Sequence, residues 1–177
     1  MFPLIDTKGR LRAVQAKGFN EQGKTLYTSY FHGMLALNDE VDGYDYGWLK
    51  KYEDNKASSG LFGGHLLKDY NGRLVHLVED AKTAVVASLV FKEPVVSVMS
   101  IHGLTWENCK ELKGYRVKVW ADVDAFQEWS EKLKSFRLFE YEMVDWMKGR
   151  KVGKKDDIAD HILLKRKQEL SLREMKV

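Results

Sequence analysis

The chain has 177 residues, 44% of them hydrophobic and 31% charged, with a formal net charge of +3 and a sequence pI near 8.8. This length suits one domain with a small appended lobe, and a chain of this size buries roughly two-thirds of its unfolded surface without covalent staples. A single cysteine, Cys109, excludes an intrachain disulfide framework and a cysteine-rich zinc site. Neither a signal-peptide pattern nor an apolar run of about 18 residues is present, so the expectation is a cytoplasmic protein with no membrane partner.

The positive charge is unevenly placed. Lys8, Arg10, Arg12, Lys17 and Lys24 crowd the N-terminus, and Lys148, Arg150, Lys151, Lys154 and Lys155 form a second run. Two solvated loops are one reading. The other is a protein that holds a phosphate backbone next to a cluster of acids.

In chain order, Phe2–Ile5 and Leu11–Ala16 flank Asp6-Thr7-Lys8-Gly9 and read as a β-hairpin, with Leu26–Phe31 as a further strand. Asn38–Lys56 is polar and irregular. Ala57-Ser58-Ser59-Gly60 reads as the loop between an N-terminal lobe, residues 1–60, and a main domain, residues 61–177. Leu74–Val78 is an apolar strand, residues 81–91 a helix ended by Pro94, and Val95–Met99 a second strand. Ser100–Thr105 is a turn, Trp106–Leu112 a short helix, Arg116–Trp120 a third strand and Ala125–Lys134 a third helix. A strand over Leu138–Met143 and the basic loop follow. Then comes a long charged helix, N-capped by Asp156 or Asp157 and fraying from about Gln168. Strands alternating with helices predict an α/β fold, a parallel sheet flanked by helices with right-handed crossovers, carrying a small N-terminal α+β lobe.

In such sheets ligands bind outside the carboxyl ends of the strands. Glu79 and Asp80 follow the first strand of the main domain, and Asp122 and Asp124 follow the third. Adjacent strands lie about 4.8 Å apart, so carboxylates at their ends can share a cation. Clustered carboxylates repel and raise one another's pKa, and magnesium, which takes oxygen ligands and keeps several waters, relieves this with two or three of them. Asp-x-Asp alone is common on solvated loops; behind an apolar strand, and one βαβ unit after a strand-end Glu, it is more specific. Each acid also has a bland reading. Glu79 and Asp80 are well placed as helix-start acids, and Asp157 and Asp160 open the last helix and can cap it. Lys82 can meet a phosphate at a helix start or simply be solvated. His102 faces the acids from its loop or has no role, and Trp120 and Trp129 are core residues by default.

At these residues the chain resembles the Toprim domain of bacterial DnaG-type primases. Phe2-Pro3-Leu4 with Asp6 and Gly9 looks like the family's Phe-Pro-Ile stretch before a glycine turn, and Leu61-Phe62-Gly63 like its Leu-Tyr-Gly. Leu77-Val78-Glu79-Asp80 stands in place of Val-Val-Glu-Gly, and Ser100–Thr105 in place of its Ser-Leu-Gly-Thr-Ala-Leu-Thr loop. Val119-Trp120-Ala121-Asp122-Val123-Asp124 stands where the family has an apolar strand ending in Asp-Gly-Asp. Gly63–Leu67, Glu79–Ala84 and Asp157–Asp160 are similar to small primase-like Toprim proteins of plasmids and mobile elements of Bacteroides-type bacteria. The chain departs from the pattern at Asp80 and Val123, where the family has glycines, and its single cysteine cannot build a zinc module.

The resemblance implies a magnesium- or manganese-dependent nucleotidyltransferase without zinc, making primers in the DNA replication of a plasmid or mobile element. It implies Glu79 as catalytic acid or base and metal neighbour, and Asp122 and Asp124 as metal ligands. Lys8, Arg10, Arg12, Lys82, His102, Arg150, Lys151 and Lys154 are the expected contacts to DNA or nucleotide. The implied partners are a single-stranded DNA template, nucleotides, and a replicative helicase or another replication protein. Two alternatives stand beside it: a Toprim nuclease acting on DNA or RNA, and a non-catalytic module that binds single-stranded nucleic acid.

Overall fold

The computed structural model describes residues 1–31, 33–34 and 60–174. The polar block Asn38–Lys56 and the expected loop up to Ser59 lie outside them. Two sheets account for the strands. β1 (Phe2–Ile5), β2 (Leu11–Phe19) and β3 (Thr25–Tyr30) form an antiparallel sheet in chain order. The hairpin turn closes where expected: Gly9 takes a positive φ of 76°, and the Asp6 carboxylate accepts from the N–H groups of Lys8 and Arg10. Asp is favoured in such turns because its side chain bonds its own backbone a few residues on.

β4 (Leu74–Val78), β5 (Val95–Ser97), β6 (Arg116–Trp120) and β7 (Glu140–Met143) form a parallel sheet in the order β5-β4-β6-β7. α1 (Ala81–Ala87) and α4 (Ile158–Glu174) cover one face. α2 (Trp106–Cys109), the 3-10 turn after it and α3 (Phe126–Ser135) cover the other. Strands buried on both faces need continuous apolar runs, and Val75, Leu77, Val78, Val117 and Val119 are each fully buried. On one side Val75, Leu77, Val117 and Val119 meet Leu112, Trp129 and Leu133; on the other, Val78 and Val95 meet Ala84, Ala87, Trp146 and Ile158. Each such aliphatic side chain contributes about 1.5–3 kcal/mol of transfer free energy.

Three elements are shorter than the sequence pattern suggests. The helix expected to reach residue 91 stops at Ala87, well before Pro94. The Ser88 hydroxyl donates to the Val85 carbonyl, a turn follows, and Leu89 and Val90 are exposed. A serine hydroxyl competing for backbone partners disfavours continuation of a helix. β5 stops at Ser97. β7 starts at Glu140, because Leu138 and Phe139 pack on the core instead of joining the ladder. At the other extreme, α4 runs through the expected fraying point at Gln168 to Glu174.

The antiparallel sheet sits against the carboxyl ends of β4 and β5. Leu4 and Ala13 pack with Ala81 and Met99, and the rings of Phe2 and Phe62 meet edge-on at 5.9 Å. The lobe therefore forms a wall beside the strand-end acids. Among the described residues no helix is long and apolar enough to cross a membrane.

Candidate active site at the strand ends

The strand order creates the site. From β4 the chain crosses to β5 on one side, then passes back to β6 on the other. The loops leaving β4 and β6 diverge and leave a crevice between them, the switch point at which open α/β sheets bind ligands. Glu79 and Asp80 leave β4 into this crevice, and Asp122 and Asp124 leave β6. A cavity of about 370 Å³ opens there, lined by Glu79, Asp80, Asp122, Asp124 and Asp157 with Lys24, Lys82 and Lys155. Its lining thus carries more carboxylates than ammonium groups.

The backbone around the acids is pinned. The Ser97 hydroxyl donates to the Glu79 carbonyl at 2.8 Å and accepts from the Met99 N–H at 2.9 Å. Met99 is buried with φ 73°, a left-handed conformation that a long side chain adopts only where its surroundings impose it. Gly103 lets the next turn close over this point: a Cβ there would lie 2.0 Å from the Val98 carbonyl oxygen. On the β6 side the buried Trp146 indole donates to the Ala121 carbonyl at 2.8 Å, and the Val123 N–H donates to the Asp156 carbonyl at 3.2 Å. Both hold the chain immediately around Asp122.

Asp80 and Asp157 act first as caps. Asp80 accepts from the Lys82 N–H at 2.6 Å at the start of α1. Asp157 accepts from the Asp160 N–H at 2.9 Å while Asp160 accepts from the Asp157 N–H at 3.1 Å, a reciprocal cap for α4. Asp157 also accepts from the buried Thr83 hydroxyl at 3.1 Å, tying α4 to α1.

Glu79 and Asp122 are different. Glu79 Oε2 and Asp122 Oδ1 are buried oxygens with no hydrogen-bond partner. Burial, then the Asp124 carboxylate, pushes Glu79 up to about 7, although Lys17 pulls the other way. Burial, then Glu79, Asp157 and Asp124, pushes Asp122 up to about 8. A buried acceptor without a donor costs about 1–3 kcal/mol, more if charged, so this pair is poised to take a proton or a cation. Among the described residues, no group of three or more His, Cys, Asp or Glu side chains stands close enough to hold a metal ion. Magnesium asks for less, since it is often bound through one or two carboxylates and retained water. The orphaned oxygens of Glu79 and Asp122 fit that requirement.

The antiparallel sheet contributes cations. Lys17 on β2 pairs with Asp80, its side chain only 6% exposed, and its burial lowers its pKa. Burial is the largest single influence on Lys24, in the turn before β3, and opposes its charge, but Asp160 at 2.6 Å and Asp156 at 3.3 Å together outweigh it and raise its pKa. Lys82 reaches Asp157 at 3.1 Å.

Of the residues expected to touch DNA or nucleotide, Lys82 lies in this cavity and the others do not line it. Arg10 is 2.8 Å from Asp6, and both Arg10 and Arg12 line a separate small pocket beside Asn108. Lys8 is exposed on the hairpin turn, and His102 is exposed on the 3-10 turn Ile101–Gly103. Arg150 donates to the Trp146 carbonyl of its own loop, and Lys151 and Lys154 are exposed. Lys155, from the same run, does reach the cavity. Lys17 and Lys24, named in the sequence only as part of the N-terminal basic cluster, are site residues that spacing did not single out, whereas Asp157, weighed there as a cap, both caps α4 and lines the cavity. Trp129 is fully buried and Trp120 stacks on Phe91 at 4.9 Å, so both are packing residues. Burial pushes the Cys109 thiol up to about 12, which removes it as a nucleophile.

No curated protein and no solved structure matches the chain significantly. The model of one protein family, described as Domain of unknown function (DUF6371), matches residues 1–123. The match covers the antiparallel sheet, β4 to β6, Glu79 and Asp122, and more than half of the 177 residues. The chain therefore belongs to the DUF6371 family.

Proposed function

We propose that the protein is a primase-like Toprim domain that performs magnesium-dependent nucleotidyl transfer on a single-stranded DNA template. One observation carries this reading: two half-buried carboxylates, from the ends of adjacent parallel strands, line the crevice at the switch point and each keeps one buried oxygen without a partner. Glu79 and Asp122 are the residues that would hold the ion, with the exposed Asp124 at the rim. Bound there, magnesium supplies positive charge to the developing charge of phosphoryl transfer.

The protein's own groups supply the rest. With a pKa of about 7, Glu79 gains or loses a proton near neutral pH, which suits a general base or acid. Lys82 and Lys24 line the same cavity and give a phosphate cationic partners. The two departures from the Toprim pattern have structural work in this chain. Asp80 caps α1 and pairs with Lys17, and Val123 packs on the α1–α4 core while bonding the Asp156 carbonyl. The proposed setting is DNA replication of a plasmid or mobile element, in the cytoplasm.

A second reading, a non-catalytic module for single strands, draws on the absence of a three-ligand metal group among the described residues and on the lysines already paired with the acids. One assay separates the readings. The protein is incubated with single-stranded DNA and magnesium, with and without nucleoside triphosphates, beside a folded Glu79→Gln variant. New short oligomers, lost in the variant, are the expected result. Shortening of the strand assigns hydrolysis instead. Salt-sensitive binding that ignores both chelator and variant assigns the binding module.

A further inference from the structure

A second concentration of charge lies at the opposite end of the parallel sheet, roughly 13 Å of strand away from the acids at about 3.3 Å per residue. Arg73 precedes β4, Arg116 opens β6 and Arg137 precedes β7. Arg116 stands in register with Leu74 on one side and Glu140 on the other, and its N–H donates to the Arg73 carbonyl at 2.7 Å. The topology thus gathers three guanidinium groups from distant parts of the sequence. They line a cavity of about 460 Å³ with Tyr115, Phe139 and Glu140. A neighbouring cavity of about 550 Å³ shares Arg73, Arg116 and Glu140 and adds Lys118.

The charge here is not balanced. Glu140 is the one carboxylate on the lining of the first cavity. Glu93, on the second, lies 3.4 Å from His76. Arg116 comes to 3.6 Å from Glu142, but both side chains are about half exposed, 62% and 48%, and such pairs hold weakly. Among the described residues neither Arg73 nor Arg137 has an acid within ion-pair distance. The C-terminal end of α3 at Ser135 favours one nearby cation, which accounts for Arg137 and not for the other two. Guanidinium groups match phosphate oxygens in bidentate geometry. Tyr115 and Phe139, partly buried against the core, place aromatic surface on the same wall, where a base can stack.

We propose that this cleft, with Arg73, Arg116 and Arg137 around Tyr115 and Phe139, binds the phosphate and base of a nucleotide, either free or as a unit of a single strand. The cleft uses none of the residues at the acidic crevice, so it stands or falls independently of the proposed function. The test is fluorescence anisotropy in chelator, which silences metal-dependent binding, with fluorescent ATP and a short fluorescent oligothymidylate as probes. The proteins are the wild type, the exposed pair Arg73→Gln with Arg137→Gln, and Glu140→Gln, each checked for an unchanged thermal transition. The arginine pair is expected to weaken binding tenfold or more. For the oligothymidylate its log–log salt slope falls by about 1.4, at about 0.7 for each phosphate no longer neutralised. Glu140→Gln is expected to tighten binding severalfold, a gain that a merely structural role does not give. Weakening confined to the oligothymidylate identifies a strand, and weakening of ATP as well identifies the free nucleotide. Equal affinity for the wild type and the arginine pair, or no binding of either probe at low salt, overturns the proposal.

Discussion

Asp122 shows how one residue can be held against its own charge. Trp146 fixes the carbonyl just before it, Asp156 fixes the amide just after it, and its Oδ1 is left without a donor. Its folded pKa of about 8 lies above the usual aspartate value, so the folded state binds a proton that the unfolded state has lost. Stability from this group is fully present below about pH 4 and is lost as pH rises towards 8. The metal-free protein is therefore expected to melt lower at pH 8 than at pH 5. Asp122→Asn removes the ionisation and is expected to stabilise at pH 8 by on the order of 1–3 kcal/mol and much less at pH 5. Thermal melts of both proteins across that range check this, and a variant destabilised equally at both pH values would show the carboxylate to be a structural acceptor. Glu79 follows the same sign with a smaller shift, up to about 7.

At the scale of elements, the caps divide the acids into two kinds. Asp157 closes α4 with Asp160, bonds Thr83 and pairs with Lys82. Asp157→Ala is expected to lower the urea midpoint by the equivalent of about 1–2 kcal/mol at constant m-value, as removal of a helix cap does. Asp156 instead bonds Gly153 within the preceding loop, so Asp156→Ala is expected to fall well below that in the same titration. By sequence alone these two residues are equal candidates for the cap. β4 and β6 were legible to the residue: Leu74–Val78 is apolar but for His76, and in Arg116–Trp120 the buried Val117 and Val119 alternate with Arg116 and Lys118, a period of two that marks a strand. The end of α1 was not, because Pro94 is the louder signal and the Ser88 hydroxyl the effective one. Nor was the fate of the basic run at residues 148–155, where Arg150 folds back on its own loop and only Lys155 reaches the crevice.

At the scale of the molecule, the site exists only because two sheets meet. The parallel sheet supplies acids from strand ends, which hydropathy patterning locates. The antiparallel sheet supplies Lys17 and Lys24, whose partners lie 63 and 136 positions away in the chain, a pairing no local pattern encodes. Lys17→Met removes the cation buried against Asp80 and is expected to loosen the wall it belongs to. Hydrogen exchange should quicken in β1 and β2 while β4 and β6 keep their protection. Uniform quickening across both sheets would mean that the pair supports the whole fold and not the junction.

The central claim is that Glu79 and Asp122 together form a cation site. It is tested most directly by calorimetric titration of magnesium, and then manganese, into the wild type and into a Glu79→Gln, Asp122→Asn double variant at pH 7.5. Saturable binding to the wild type is predicted, accompanied by release of protons because both acids must ionise to bind the ion, with none to the variant. Binding that survives in the variant, or no binding to the wild type even with single-stranded DNA present, contradicts it.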